Sequence, residues 1–129
     1  MWIDYLRENE TEGAVAFAEA LDRGVSFGIA GIVYQEVLQG AATGEDFERL
    51  AEYLGTQRFY EPRDPVDSYR EAARLYTRCR SAGVTVRSTV DCLIARIAIE
   101  NELILLHSDR DYENMSRVIP ELDIFPEAR

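Results

Sequence analysis

The sequence predicts an α/β protein with a parallel sheet of short strands and helices on both faces. Short apolar segments alternate along the chain with longer segments whose apolar residues recur at helical spacing. The clearest pair is a helical pattern from Ser88 to about Glu100, a turn at Asn101-Glu102, and the apolar run from Leu103 to His107. Such a run is typical of a strand covered on both faces. Strands that alternate with helices favour a parallel sheet between two helical layers.

Each further element has its own pattern. Glycines suit the ends of several helices, as at Gly24, Gly40 and Gly83. Asp64-Pro65 suits the start of another helix, with the aspartate as cap. The predicted helices are Trp2 to Leu6, Thr11 to Arg23, Ile32 to about Gln39, Gly44 to about Leu54, Pro65 to about Ser81, Ser88 to about Glu100 and Asp111 to about Val118. The predicted strands are Val25 to Ile29, Arg58 to Tyr60, Leu103 to His107 and Leu122 to Phe125. In the helix after Pro65, we expect the inward face to consist of Tyr69, Ala72, Ala73, Tyr76 and Cys79.

Length and composition fit a single domain over residues 1–129. The chain of 129 residues is long enough to bury a core. It has no apolar run of the ~18 residues that span a membrane, and it opens without a basic-then-apolar leader. Two cysteines, Cys79 and Cys92, do not make a disulfide framework, and both fall in helical patterns. We therefore expect buried thiols and a cytoplasmic protein.

The charge balance narrows the function classes. The net charge is −10, whereas a protein that binds nucleic acid mainly through charge would be basic. An acidic chain can still cut nucleic acid when metal ions supply the positive charge, and it also suits a basic protein partner. All 14 basic residues are arginines. The absence of lysine excludes P-loop and Schiff-base chemistry and argues against a phosphoacceptor receiver domain.

Two aspartates that lie far apart in sequence are predicted to meet. A helix of about 13 residues is roughly 20 Å long, and a strand of about five residues running back covers roughly 17 Å. The end of the strand therefore returns beside the start of the helix. Asp91 lies in the first turn of that helix, and Asp109 follows the strand. Their carboxylates should lie close enough to share a cation. The same spacing would also arise if Asp91 were only an acid at a helix start and Asp109 only a turn or cap residue.

A third acid is placed on the same edge of the sheet. Glu36 lies a little over one turn into the helix that follows the strand Val25 to Ile29. Ligands of parallel sheets bind beyond the carboxyl ends of the strands, and all three acids are predicted there. Three carboxylates favour a hard divalent cation, Mg²⁺ or Mn²⁺. For Glu36 alone, a solvated helix glutamate is the simpler interpretation.

Four segments together resemble a PIN domain, with the closest likeness to VapC-type toxins of bacterial toxin–antitoxin pairs. They are WIDYL, VYQEVLQG with Glu36, STVDCLIARIAIE with Asp91, and LILLHSDRDY with Asp109. The resemblance implies a three-layer α/β/α fold and a metal-dependent endoribonuclease that cuts a structured RNA such as tRNA. It also implies a homodimer and a VapB-like antitoxin as partner.

The resemblance implies a role for individual residues. Glu36, Asp91 and Asp109 match acidic metal ligands, and Asp111 matches an acid that supports the site. Ser108 falls where a small polar residue sits beside the site. Arg87 and Arg110 could contact the RNA backbone, although each alone also fits an ordinary surface charge. Asp4 matches a structural acid of the first helix, and His107 fits a strand-end residue.

The chain departs from the family pattern at its start. The family begins with an apolar strand that ends in Asp-Thr-Ser or similar and carries its first catalytic aspartate; one residue and then the tryptophan follow, and Met1 stands where that one residue would be. From the sequence as given we expect an N-terminally truncated domain that lacks the central first strand and one metal ligand. This favours an alternative function, namely a catalytically impaired PIN-like binding module that pairs with an antitoxin.

Overall fold

Short strands alternate with helices throughout the described part of the chain. The computed structural model describes residues 28–107 and 110–125. Its elements are β1 Gly28–Ala30, α1 Gly31–Gln39, α2 Gly44–Gly55, β2 Arg58–Tyr60, α3 Asp67–Ser81, α4 Thr89–Glu100, β3 Ile104–Leu106, α5 Arg110–Val118 and β4 Asp123–Phe125. The predicted helices Trp2 to Leu6 and Thr11 to Arg23 lie outside the described residues, as do Asp4 and the first part of the strand from Val25.

The strands form two parallel pairs. β1 pairs with β2, so that Ile29 is opposite Phe59, and β3 pairs with β4, so that Leu105 is opposite Ile124. Within residues 28–107 and 110–125, no backbone pairing joins one pair to the other. The predicted α/β fold with short parallel strands is therefore confirmed, with its described strands in two separate pairs.

Local chemistry sets the helix ends. The Thr43 hydroxyl accepts the Asp46 amide at 3.0 Å and caps α2. The Asp64 carboxylate accepts hydrogen bonds from the backbone amides of Asp67 and Val66 at 2.6 and 2.8 Å. Both bonds lower the pKa of Asp64, and the bond from Asp67 has the larger effect. Because Asp64 serves this turn, α3 begins at Asp67, two residues later than predicted. After α3, Gly83 takes a φ of +79°, which a glycine adopts without strain.

Two apolar clusters lie behind the strand pairs. The larger one joins α3, α4, α5 and β4; its fully buried members include Cys79, Ala95 and Met115. The smaller one consists of Ile29, Val37 and Leu54, and Leu106 of β3 packs against it. Side chains, rather than backbone pairing, thus connect the two strand pairs in the described residues.

The inward face of α3 differs from the prediction. Tyr69 and Tyr76 are 53% and 41% exposed, and Ala73 is exposed as well. The buried stripe instead consists of Ser68, Ala72, Leu75 and Cys79. A serine can occupy the core here because the Glu100 carboxylate of α4 accepts a hydrogen bond from its hydroxyl. No helix of the described ranges is both long enough and apolar enough to cross a bilayer.

Candidate active site

Asp91 occupies the first turn of α4, as predicted. Ser88 precedes the helix in extended conformation. Cys92, Ile94 and Ala95 are buried and fix which side of α4 faces the core. Asp91 itself is half-buried, and the Tyr112 hydroxyl donates a hydrogen bond to its Oδ1 at 3.1 Å. The carboxylate therefore lies at the positive end of the α4 dipole and accepts a hydrogen bond from α5.

Tyr112 is a member of the site that the sequence prediction missed. Its side chain belongs to the larger apolar cluster and is only 8% exposed. The ring of His107, which is 4% exposed, meets it edge-on at a centroid distance of 5.9 Å. The sequence feature that could have identified it is an aromatic residue in the first turn of the helix that follows Asp109 in sequence. That position points the residue toward the amino end of α4.

Asp111 lies beside Tyr112 at the start of α5 and is buried. It is 7% exposed, and its Oδ1 lies 3.7 Å from Nε of Arg87. The Arg87 side chain is 80% exposed, so most of its guanidinium faces solvent. Arg110, at the first position of α5, is also exposed. The two predicted RNA-contacting arginines are therefore both accessible, and one of them is paired with an acid of the site.

The other predicted site residues are Glu36, Ser108 and Asp109. Glu36 is exposed on α1. Ser108 and Asp109 lie outside the described residues. Within the part of the chain that the structure describes, no three side chains of His, Cys, Asp or Glu lie together in a way that could hold a metal ion. The metal set of Glu36, Asp91, Asp109 and Asp111 therefore stays a prediction, and its carboxylate oxygens are the donors that Mg²⁺ and Mn²⁺ prefer.

Comparison with known proteins decides the family. The PIN domain family model matches residues 1–118. This chain belongs to the PIN domain family. Among its relatives, a VapC ribonuclease of Mycobacterium bovis is 30% identical over 118 residues, covering 91% of this chain and 87% of the relative. Ribonuclease VapC11 of Mycobacterium tuberculosis is similar to the same extent.

The thiols of this PIN domain are unsuited to nucleophilic chemistry. Cys92 directly follows Asp91 but is buried. Its burial above all, with smaller electrostatic contributions from Cys79 and Asp91, raises the pKa of the Cys92 thiol to about 11. Burial also raises the pKa of Cys79. Since the thiolate is the reactive form of cysteine, both thiols are poor nucleophiles in the folded protein near neutral pH.

Proposed function

We propose that this PIN domain is a metal-dependent endoribonuclease, the toxin component of a type II toxin–antitoxin pair, which hydrolyses RNA phosphodiester bonds. The proposal is carried by one observation: proteins named as ribonucleases align with 91% of the chain. The half-buried Asp91 carboxylate, held by Tyr112 at the start of a core helix, supports it.

In the proposed mechanism, the carboxylates of Glu36, Asp91 and Asp109 hold Mg²⁺ or Mn²⁺, and Asp111 supports them. When bound, the ion supplies a more acidic water and stabilises charge on the phosphate. Arg87 and Arg110 present exposed guanidinium groups to phosphates of the RNA backbone.

The proposal includes the partners. The RNA substrate is structured, with tRNA as the first candidate, and Ser108 contacts it beside the metal. A VapB-like antitoxin covers the site, and two copies of the chain form a homodimer. We place this activity in the cytoplasm.

The decisive experiment is RNA cleavage by the purified full chain with Mn²⁺ and a tRNA substrate. We expect cleavage that stops when the metal is chelated. Asp91→Asn should reduce the rate by at least about 100-fold, because it removes an anionic oxygen from the metal site. Glu52→Gln, which changes an exposed carboxylate on α2, should leave the rate unchanged. Thermal unfolding of each variant shows whether it is folded.

Two outcomes contradict the nuclease proposal. One is a folded wild-type chain that leaves every tested RNA intact with Mn²⁺. The other is an Asp91→Asn variant that cleaves as fast as the wild type. Either outcome favours the alternative of a PIN-like binding module that pairs with an antitoxin but does not cleave RNA.

A further inference from the structure

We infer that Tyr112 is a positioning residue for the Asp91 carboxylate; the inference rests on the proposed function. The Tyr112 hydroxyl donates to Oδ1 of Asp91 at 3.1 Å, across the interface between α5 and α4. An O–H group that donates to a carboxylate makes a charge-assisted hydrogen bond, which is stronger than a neutral one. This bond is therefore well suited to hold the carboxylate in one orientation.

The helix backbone alone does not fix the orientation of the Asp91 carboxylate. The torsion that sets the plane of an aspartate carboxylate joins an sp³ to an sp² carbon and has only broad preferences. Helix α4 places the Cβ of Asp91 but leaves this plane loosely defined. A donor in a fixed position removes that freedom and sets the directions in which the carboxylate oxygens can receive other ligands.

Tyr112 is itself held firmly enough to act as that donor. The ring is 8% exposed and packs within the larger apolar cluster. His107 meets the ring from one side, and Met115, three residues along α5, is fully buried. A tyrosine has two side-chain torsions before its hydroxyl, so a ring fixed by packing also fixes the oxygen. The hydroxyl thus belongs to the rigid core, whereas Asp91 lies at its edge.

A simpler interpretation is that Asp91 only satisfies a buried hydroxyl. Under either interpretation, Tyr112→Phe should lose some stability, because the hydrogen bond to Asp91 is lost. Only if Tyr112 positions the carboxylate should the substitution also affect the chemistry performed by Asp91. The two are therefore separated by kinetic constants and by metal affinity rather than by unfolding.

The test compares Tyr112→Phe with the wild type, using kcat and KM for RNA cleavage and calorimetric Mn²⁺ binding without RNA. We expect kcat to fall about 10- to 100-fold and Mn²⁺ affinity to fall about 10-fold, as is typical when a partner of a metal ligand is lost. KM for RNA should stay within about threefold, because no RNA contact is removed. Tyr34→Phe is the matched control, because the Tyr34 hydroxyl donates to the Ala51 carbonyl at 3.4 Å. Its loss should change neither kcat nor the Mn²⁺ affinity.

The outcomes separate this inference from the proposed function. A Tyr112→Phe variant with wild-type kcat and Mn²⁺ affinity overturns the positioning role, while inactivity of Asp91→Asn in the same assay leaves the nuclease proposal standing. Unaltered Mn²⁺ binding by Tyr112→Phe also overturns the positioning role if the wild type proves inert toward RNA. A wild type that neither cleaves RNA nor binds Mn²⁺ contradicts both.

Discussion

The Ser68 hydroxyl of α3 lies 3.0 and 2.9 Å from the two carboxylate oxygens of Glu100, the last residue of α4. The Arg63 amide donates to the same carboxylate at 2.8 Å, and Nε of Arg96 donates at 3.2 Å. The Glu100 side chain is only 6% exposed. This network joins the start of α3 to the end of α4, one helix length away from Asp91.

Removal of the Ser68 hydroxyl should therefore destabilise the fold. We expect Ser68→Ala to lower the free energy of unfolding by about 1–3 kcal/mol, because a buried carboxylate loses a donor. Urea unfolding measures the change. Ser81→Ala, at the exposed far end of the same helix, should change it by less than about 0.5 kcal/mol. Equal stability of the two variants would show that Ser68 contributes nothing through Glu100.

A methyl group at Gly28 should disturb the β1–β2 pair. A Cβ there would overlap the Tyr60 ring and lie 3.0 Å from the Arg58 carbonyl oxygen. We expect Gly28→Ala to cost about 1–3 kcal/mol, as overpacking does. Gly31→Ala should be nearly neutral, because the group it meets is the flexible end of Glu61 and alanine favours a helix. Thermal unfolding of both variants checks the contrast, and a reversed order would refute it.

The two thiols should be unreactive in the folded protein. At pH 8, iodoacetamide should label neither Cys79 nor Cys92 in native protein, yet label both in urea, as mass spectrometry of peptides would show. The Cys92 pKa is raised in the folded state from 9.0 to about 11. The free energy of unfolding therefore includes the whole contribution of the neutral Cys92 thiol below pH 9.0, and this contribution is lost as the pH rises through about 11. Rapid native labelling would contradict this assignment.

The ion pair between Arg78 and Glu121 should make a small, pH-dependent contribution. Arg78 Nη1 lies 2.7 Å from Glu121 Oε2, and this hydrogen bond lowers the pKa of Glu121 below 4.5. Its stabilising effect is present above pH 4.5 and is lost as the pH falls through the lowered pKa. Because both side chains are substantially exposed, Glu121→Gln should cost less than about 1 kcal/mol at pH 7. Unfolding of both proteins from pH 7 to 3 should show the difference vanish; a constant difference would exclude ionisation as its cause.

Periodicity was sufficient to predict the elements around the site. The helix from Ser88, the turn at Asn101-Glu102 and the strand that follows are confirmed as α4, a left-handed Glu102 with a φ of +54°, and β3. These elements lie next to one another in sequence and depend on local patterns. The prediction that Asp91 begins a buried helix succeeded for the same reason.

The failures arose where distant residues decide the outcome. Apolar spacing placed Tyr69 and Tyr76 inside α3, but tyrosine tolerates solvent, and the core selected Ser68 because Glu100, 32 residues away, satisfies it. The partnership of Tyr112 with Asp91 spans 21 residues and is equally invisible to local patterns. The meeting of Asp91 with Asp109 remains a prediction from element lengths.

The larger apolar cluster gives α4 a high resistance to local opening. Five of the twelve residues of α4 are buried, three of them in that cluster: Cys92, Ile94 and Ala95. Segments with many buried contacts open only at free energies close to that of global unfolding. Backbone amides of α4 should therefore be among the slowest to exchange with deuterium, so that the segment that carries Asp91 stays closed until the whole domain unfolds.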